Sequence, residues 1–282
     1  MNAEIFEELK QAVAVEMGAD VKDMKVITKN LVNMDPVTGI CIPEGDGPAV
    51  TVYVDEAVDE IERGRRSCKE CAREIAVQMK IYKDDAPAEA KNVVNFTKDD
   101  FLDRMFIQLI SAEKNEAIWN KFPHVDFLDM MGIFKVEVCE NAVFTMTDEI
   151  MKDRDITMDE MKEAALKNMD AVKMITPLEY PVVLVTNKDL VYGAGQLMNK
   201  SALREVSDIF KKDLYILPSS IHEIMIVPAP EVELDFLRKM LDDGNRKVTR
   251  AEDYLSDNVY EYNRESGQVT IARSDHEMEV MS

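Results

Sequence analysis

Residues that build reactive sites are scarce in this chain. It holds three histidines, four cysteines and one tryptophan in 282 residues. Apart from a lone CxxC at Cys68 and Cys71, no paired ligand spacing is present, so a zinc site would need further ligands converging from distant segments. There is no GxGxxG, no Walker-type loop, no HExxH and no GxSxG, which leaves the common nucleotide, zinc-protease and serine-hydrolase motifs without a foothold. "DVKDMKV" and "DDGNR" lack calcium-loop spacing. The carboxylates are many but unpaired by any motif, so nothing specific supports a glycosidase. The expectation is no cofactor, no metal and no assigned catalytic residue. Long apolar runs are also missing, and none approaches the length needed to cross a bilayer.

Positive charge is the other shortage. Against 55 acidic side chains stand 34 basic ones, a net charge of -21. Such a field repels phosphate backbones and anionic lipid, so neither direct nucleic-acid binding nor a membrane partner is expected. The richest basic stretch, "ERGRRSCKECAR" (Glu62 to Arg73), carries acids of its own and reads as a solvated helix face. The acids are interspersed along the chain. A DNA-mimic decoy is one reading of that charge, and plain solubility is the other.

What is present is a globular composition, 46% apolar and 32% charged. The length suits one large domain or two ordinary ones. Nineteen methionines imply adaptable packing. The opening "MNAEIFEELKQ" is acidic and amphipathic, without the basic start or apolar core of a signal peptide, so the expected location is cytoplasmic. Cys41, Cys68, Cys71 and Cys139 are then expected as free thiols.

Periodicity predicts a first helix with Ile5, Phe6, Leu9 and Val13 aligned and Gly18 as its stop. "MKVITKNLV", "GICIP" and "AVTVYV" read as strands, with "EGDGP" as a turn. Helices follow over "DEAVDEIERG" and from about Ser67 to Tyr82, with Ser67 as N-cap. "KDDAPAEAKN" (Lys83 to Asn92), carrying Pro87, is the linker candidate. It separates an N-terminal lobe over 1–85 from a C-terminal lobe over 94–282, with a further division near 170–177. In the second lobe, helices are expected around Thr97 to Arg104 and over "TMDEMKEAALKN", whose Thr157 and Glu160 have capping-box spacing. "RMFIQLIS" has no clear period. "YPVVLVTNKDLVYGAGQLM" reads as a hairpin turned at Asn187-Lys188, its second strand relaxed by Gly193 and Gly195. "LYIL" and "EIMIVP" read as strands, "TRAEDYL" as a helix with a Thr249/Glu252 capping box, and "VYEYNRESGQVTIA" as a terminal hairpin. Strands and helices mix without a βαβ rhythm. The fold class is therefore α+β, with mixed, largely antiparallel sheets and flanking helices.

The most distinctive text is "DLYILPSSIHEIMIVP", Asp213 to Pro228. Ser219, Ser220, His222 and Glu223 have the residue types of a hydrolase triad, which needs a serine oxygen within reach of an imidazole held by a carboxylate. If residues 220–226 form a strand, His222 and Glu223 point to opposite faces. If Ser220 and Glu223 form a capping box, they open a helical turn instead. Either way the serines bond backbone. A binding site is the other use for these side chains, with Asn187, Tyr192 and His124 as companions of His222. His124 lies in "FPHVDFLD", where Asp126 or Asp129 could orient it, or it anchors a loop. His276 lies in the tail. Cys68-Lys69-Glu70-Cys71 is a lone CxxC at a helix start, either a redox or metal site or ordinary helix text.

The segments "YPVVLVTN", "YGAG", "DLYILPSSIHE" and "LSDNVYEYNRESGQ", with "AVTVYVDE", "EKNEAIWNKFPHVDFLDM" and "ALKNMD" upstream, resemble a bacterial family of proteins of unknown function common in gut anaerobes. The resemblance runs from about Val52 to Gln268 and is most specific over Leu214 to Glu223. It implies no activity, cofactor or catalytic residue. It leads one to expect a bulkier apolar run after "YGA", where this chain has Gly195-Gln196. The expected function is binding of a protein partner or a small ligand, without catalysis. A hydrolase using His222 with Ser219 or Ser220, and an acidic decoy, are the alternatives.

Overall fold

The computed structural model describes residues 1–29, 31–43, 50–85, 95–139, 142–176 and 181–274. They divide into two units, Met1–Asn95 and Phe96–Ser282. The expected "EGDGP" turn, most of the linker candidate and His276 lie outside the described residues.

In the first unit, Asn2 opens helix α1 (Ala3–Met17) by accepting from the Glu4 and Ile5 amides, and Gly18 ends it at φ 66°. Strands β1 (Lys25–Lys29), β2 (Val37–Cys41) and β3 (Thr51–Tyr53) form an antiparallel sheet. Helices α2 (Asp55–Glu62) and α3 (Cys68–Asp85) follow. Ser67 and Glu70 cap α3 reciprocally, the Ser67 amide donating to Glu70 Oε2 at 2.9 Å and the Glu70 amide to Ser67 Oγ at 3.3 Å. The apolar stripes of α1 and α3, with Leu9, Val13, Ile75 and Met79, bury against Ile40 and Val52 of the sheet.

The second unit opens with α4 (Lys98–Asp103), capped by a Thr97/Asp100 box. Strand β4 (Met105–Ser111) is next, then β5 (His124–Phe127), β6 (Met130–Cys139) and β7 (Ala142–Thr145). β6 pairs with β4 along one edge and with β5 and β7 along the other, all antiparallel. The unclear period of "RMFIQLIS" has a physical cause: every residue of β4 except Phe106 is buried, so no alternation survives. Two short helices, α5 (Asp148–Asp153) and α6 (Met158–Lys167), complete this layer. α6 has the expected Thr157/Glu160 box, with Met161 and Ala165 buried.

A six-stranded antiparallel sheet occupies the rest. Its strands are β8 (Val172–Thr176), β9 (Val182–Thr186), β10 (Leu214–Leu217), β11 (Ile224–Pro228), β12 (Tyr260–Tyr262) and β13 (Val269–Ile271). They lie in the order β13-β12-β10-β11-β9-β8. Helices α7 (Lys200–Phe210) and α8 (Leu234–Lys247) flank it, and Leu234, Leu237 and Leu241 of α8 pack on Leu217, Val227 and Val259. The architecture is α+β with antiparallel sheets and flanking helices, as the strand and helix rhythm predicts.

Three local expectations fail. Gly193–Met198 is a 3-10 turn, not the second strand of a hairpin, and β9 pairs instead with β8 and β11. The glycines serve close approach: a Cβ on Gly195 would collide with the Ile107 carbonyl. Gln196, where a bulkier apolar run is expected, is buried with both ends bonded, Nε2 to the Asp170 carbonyl and Oε1 to Asn199 Nδ2. "TRAEDYL" forms only a 3-10 turn, Ala251–Asp253, without a side-chain cap. Its Thr249 hydroxyl donates to the Ser219 carbonyl at 3.1 Å, a tertiary bond that takes the group a capping box needs. Residues 218–223 are neither strand nor helix, since β11 begins at Ile224. The opposite-face argument for His222 and Glu223 therefore has no strand to act in.

Candidate functional site

The segment after β9 closes on itself. Asn187 Nδ2 donates to the Val191 carbonyl at 2.7 Å, and Asn187 Oδ1 accepts from the Val191 amide at 3.3 Å. Inside this loop Leu190 takes φ 58°, and Tyr192 follows at φ 60°. Left-handed backbone is uncommon for residues with bulky side chains and marks stored strain. Gly193 comes next because nothing larger fits. A Cβ there would collide with Thr186 Oγ1 and lie 2.6 Å from the His222 carbonyl oxygen.

His222 holds this loop in place. Its Nδ1 accepts from the Tyr192 amide at 3.2 Å, and its Nε2 lies 3.0 Å from Asp253 Oδ1. An Nδ1 that accepts a backbone N–H assigns the proton of the neutral ring to Nε2, which donates it to Asp253. Both ring nitrogens are therefore engaged. The ring stacks on Tyr192 at 5.7 Å, and Tyr192 stacks in turn on Phe106 at 6.2 Å. Burial, with Asp253 adding to it, pushes the Tyr192 phenol above its ordinary value. The backbone adds further ties: Thr186 Oγ1 donates to the His222 carbonyl at 2.8 Å, and the Ile221 amide to the Asp253 carbonyl at 2.8 Å.

The serines are bonded within their own turn. Ser219 Oγ donates to the Glu223 carbonyl at 3.3 Å, with Glu223 Oε1 at 3.4 Å. Ser220 Oγ accepts from the His222 amide at 3.0 Å, so the expected Ser220/Glu223 capping box gives way to a tighter turn. His124 is the first residue of β5 and is half-buried. Its Nδ1 lies 2.9 Å from the Phe122 carbonyl, its Nε2 lies 3.7 Å from Asp126 Oδ1, and Trp119 meets it edge-on. Asp129, the other candidate to orient His124, is engaged elsewhere. It accepts from Ser256 Oγ at 2.6 Å, Asn258 Nδ2 at 3.0 Å and Tyr260 Oη at 2.6 Å.

Beside Tyr192 lies a cavity of about 540 Å³. Asn187, Val191 and Tyr192 form one side, and Met105, Val143 and Met169 supply apolar wall. Its charged groups are Asp103, Glu137, Asp170 and Asp189 against Arg104 and Lys188. Lys188 Nζ lies 3.8 Å from Glu137, and Arg104 donates to the Val138 carbonyl at 3.3 Å while covering the Phe96 ring. Of the candidates from sequence, Asn187 and Tyr192 line this cavity. His222 stands behind Tyr192, and His124, Ser219, Ser220 and Glu223 are not among its lining residues.

The model of a protein family described as of unknown function, DUF5688, matches residues 3–179 and 173–264. The chain belongs to the DUF5688 family. No curated protein and no solved structure matches it. The two matched stretches of the DUF5688 model meet at the cavity: Asp103 to Asp170 come from the first, Asn187 to Gln196 from the second. His222 and Asp253 also fall in the second stretch.

Sequence reasoning missed Asp253, Phe106 and the carboxylates of the cavity. Asp253 lay in text read as a helix, and its bond to His222 spans 31 residues. Phe106 sat in the one strand without a period. Among the described residues no group of three His, Cys, Asp or Glu side chains is placed to hold a metal ion, and no helix is long and apolar enough to cross a membrane. Cys68 and Cys71 sit on the first turn of α3, yet burial, the largest cause for each, pushes both thiols above their ordinary value. A reactive CxxC needs the opposite shift.

Proposed function

We propose that this protein binds a small, positively charged ligand in the cavity beside Tyr192 and does so without covalent chemistry. One observation carries the reading: the cavity, at about 540 Å³, has the volume of small-molecule sites, and an anchored, strained loop forms its wall. Carboxylates outnumber cations in the lining, and the lysine there already faces Glu137. That balance favours an amine or guanidine, while Met105, Val143 and Tyr192 favour an apolar body attached to it. The engagement of both His222 nitrogens supports binding over hydrolysis, because a general base needs a free lone pair facing its serine. We read Leu214 to Glu223 as the family's signature because it supplies His222 and the serine turn that fixes it.

The test is a thermal-shift panel of aliphatic and aromatic amines, with carboxylates and neutral isosteres as controls. Amines are expected to raise Tm for the wild type and to lose that effect in Val143→Trp, which fills the cavity, and in Asp170→Asn. A panel in which no amine shifts Tm, or in which Val143→Trp responds like the wild type, overturns the reading. A fluorophosphonate probe that labels Ser219 or Ser220 in the folded protein replaces it with the hydrolase.

A further inference from the structure

We propose that His222 is a proton-operated latch on the cavity wall: the neutral ring holds Tyr192 in its left-handed conformation, and protonation lets it go. The latch goes beyond the cavity reading and does not depend on what the cavity binds.

The argument rests on which atom accepts. The Tyr192 amide donates to His222 Nδ1 at 3.2 Å. Only an unprotonated Nδ1 has a lone pair for that bond. An imidazolium carries N–H on both nitrogens and would set one N–H against another. On the far side of the ring, Asp253 Oδ1 lies 3.0 Å from Nε2 and accepts from it in either state. Protonation therefore exchanges the Tyr192 bond for an ion pair with Asp253. The ring keeps its place, and the loop loses its anchor.

Tyr192 has reason to move once released. It is held at φ 60° and ψ 21°, a conformation costly for an aromatic residue, directly after Leu190 at φ 58° and the exposed Val191. The loop stays hinged rather than free. The Thr186 hydroxyl still donates to the His222 carbonyl, and the Ala194 amide to the Ile221 carbonyl at 3.2 Å, and neither bond involves the imidazole. Asn187, Val191 and Tyr192 all line the cavity, so a change at Tyr192 reshapes its wall.

The charged and titratable groups around the ring fit this assignment. The turn Ala251–Asp253 presents Asp253, with Glu252 engaged by Arg250 at 3.9 Å. The loop presents the Tyr192 phenol, stacked on the imidazole. The ring's own segment presents Glu223, whose carboxylate lies 3.4 Å from Ser219 Oγ. β6 presents Lys135, whose ammonium lies 5.9 Å from the Tyr192 ring centroid and donates to Thr145 Oγ1. The carboxylates among them are already engaged by His222 Nε2, Ser219 and Arg250, while the Tyr192 amide donates to Nδ1.

The experiment is a pH titration of the ¹⁵N-labelled full chain from about pH 8 to about pH 5, where histidine changes charge. It follows the His222 ring and the Tyr192 amide together. The two are expected to change with one midpoint, and the protection factor of the Tyr192 amide to fall about fivefold through it, the loss of one hydrogen bond. His222→Asn keeps an oxygen acceptor at the Nδ1 position and does not titrate, so the Tyr192 amide should stay protected across the range. His222→Phe keeps the stacked ring without an acceptor, so the amide should be exposed at every pH. A Tyr192 amide that ignores the ring's titration overturns the latch. So does a ring that stays neutral to about pH 5, or a pH response that persists in His222→Asn.

Discussion

At the scale of single residues, Asp129 ties a turn to a strand through one carboxylate. It accepts from Ser256, Asn258 and Tyr260, and Tyr260 is fully buried. Burial first, then the bond to Asp129, pushes the Tyr260 hydroxyl above its ordinary value. Asp129→Ala takes the carboxylate acceptor away from that buried hydroxyl and should cost about 3 kcal/mol in urea unfolding. Tyr260→Phe removes that hydroxyl, so adding Asp129→Ala to it should cost clearly less. Two glycines make a contrasting pair. Gly193→Ala puts a methyl into Thr186 Oγ1 and the His222 carbonyl, and should destabilise by about 2 kcal/mol. Gly244 lies inside α8 with nothing within 4 Å of a built Cβ. There alanine should stabilise by about 0.5–1 kcal/mol, read as a rise in Tm.

At the scale of elements, caps decide where helices start. Three of them pair a hydroxyl at the N-cap with a carboxylate three residues on: Ser67 with Glu70, Thr97 with Asp100, Thr157 with Glu160. Thr157→Ala should lower stability by about 1 kcal/mol, measured by thermal unfolding. The carboxylates add an acid dependence. Lys98 first, then Thr157, holds Glu160 down at about 2 against an ordinary 4.5. Hydrogen bonds from Ser67 and Thr97 depress Glu70 and Asp100 in the same direction. A depressed carboxylate stabilises above its unfolded value and loses that contribution as pH falls. Helical circular dichroism should therefore begin to fall as pH drops below about 4.5, and Glu160→Gln should weaken that response. These caps were legible in the sequence because each joins residues three apart, although the same spacing at Thr249/Glu252 and Ser220/Glu223 gave way to other bonds. The 3-10 turn at Gly193–Met198 was not, because its glycines answer to Thr186, Ile107 and His222 rather than to their neighbours. β4 was not, because burial on both faces erases the alternation that marks a strand.

At the scale of the whole molecule, each unit has a core of its own. Phe6, Leu9, Val13, Ile75 and Met79 belong to a cluster wholly within the first unit, and the Leu217 to Ala272 cluster lies wholly within the second. Residues 96–282 expressed alone should unfold cooperatively and keep the protected Tyr192 amide at neutral pH. A fragment without a cooperative transition would show that the second unit depends on the first. The sequence alone determined what depends on nearby residues: helix stripes, caps, the Gly18 stop, the hairpin near Gly267, and an α+β fold of antiparallel strands. Those features arise within a few positions of one another, so a local pattern is enough to specify them. Only the tertiary structure decided the site. His222 meets Tyr192 across 30 residues and Asp253 across 31, and Asp129 meets Tyr260 across 131. No periodicity reaches that far, because such partners are chosen by strand order and packing, and a side chain carries no mark of the group it will meet there.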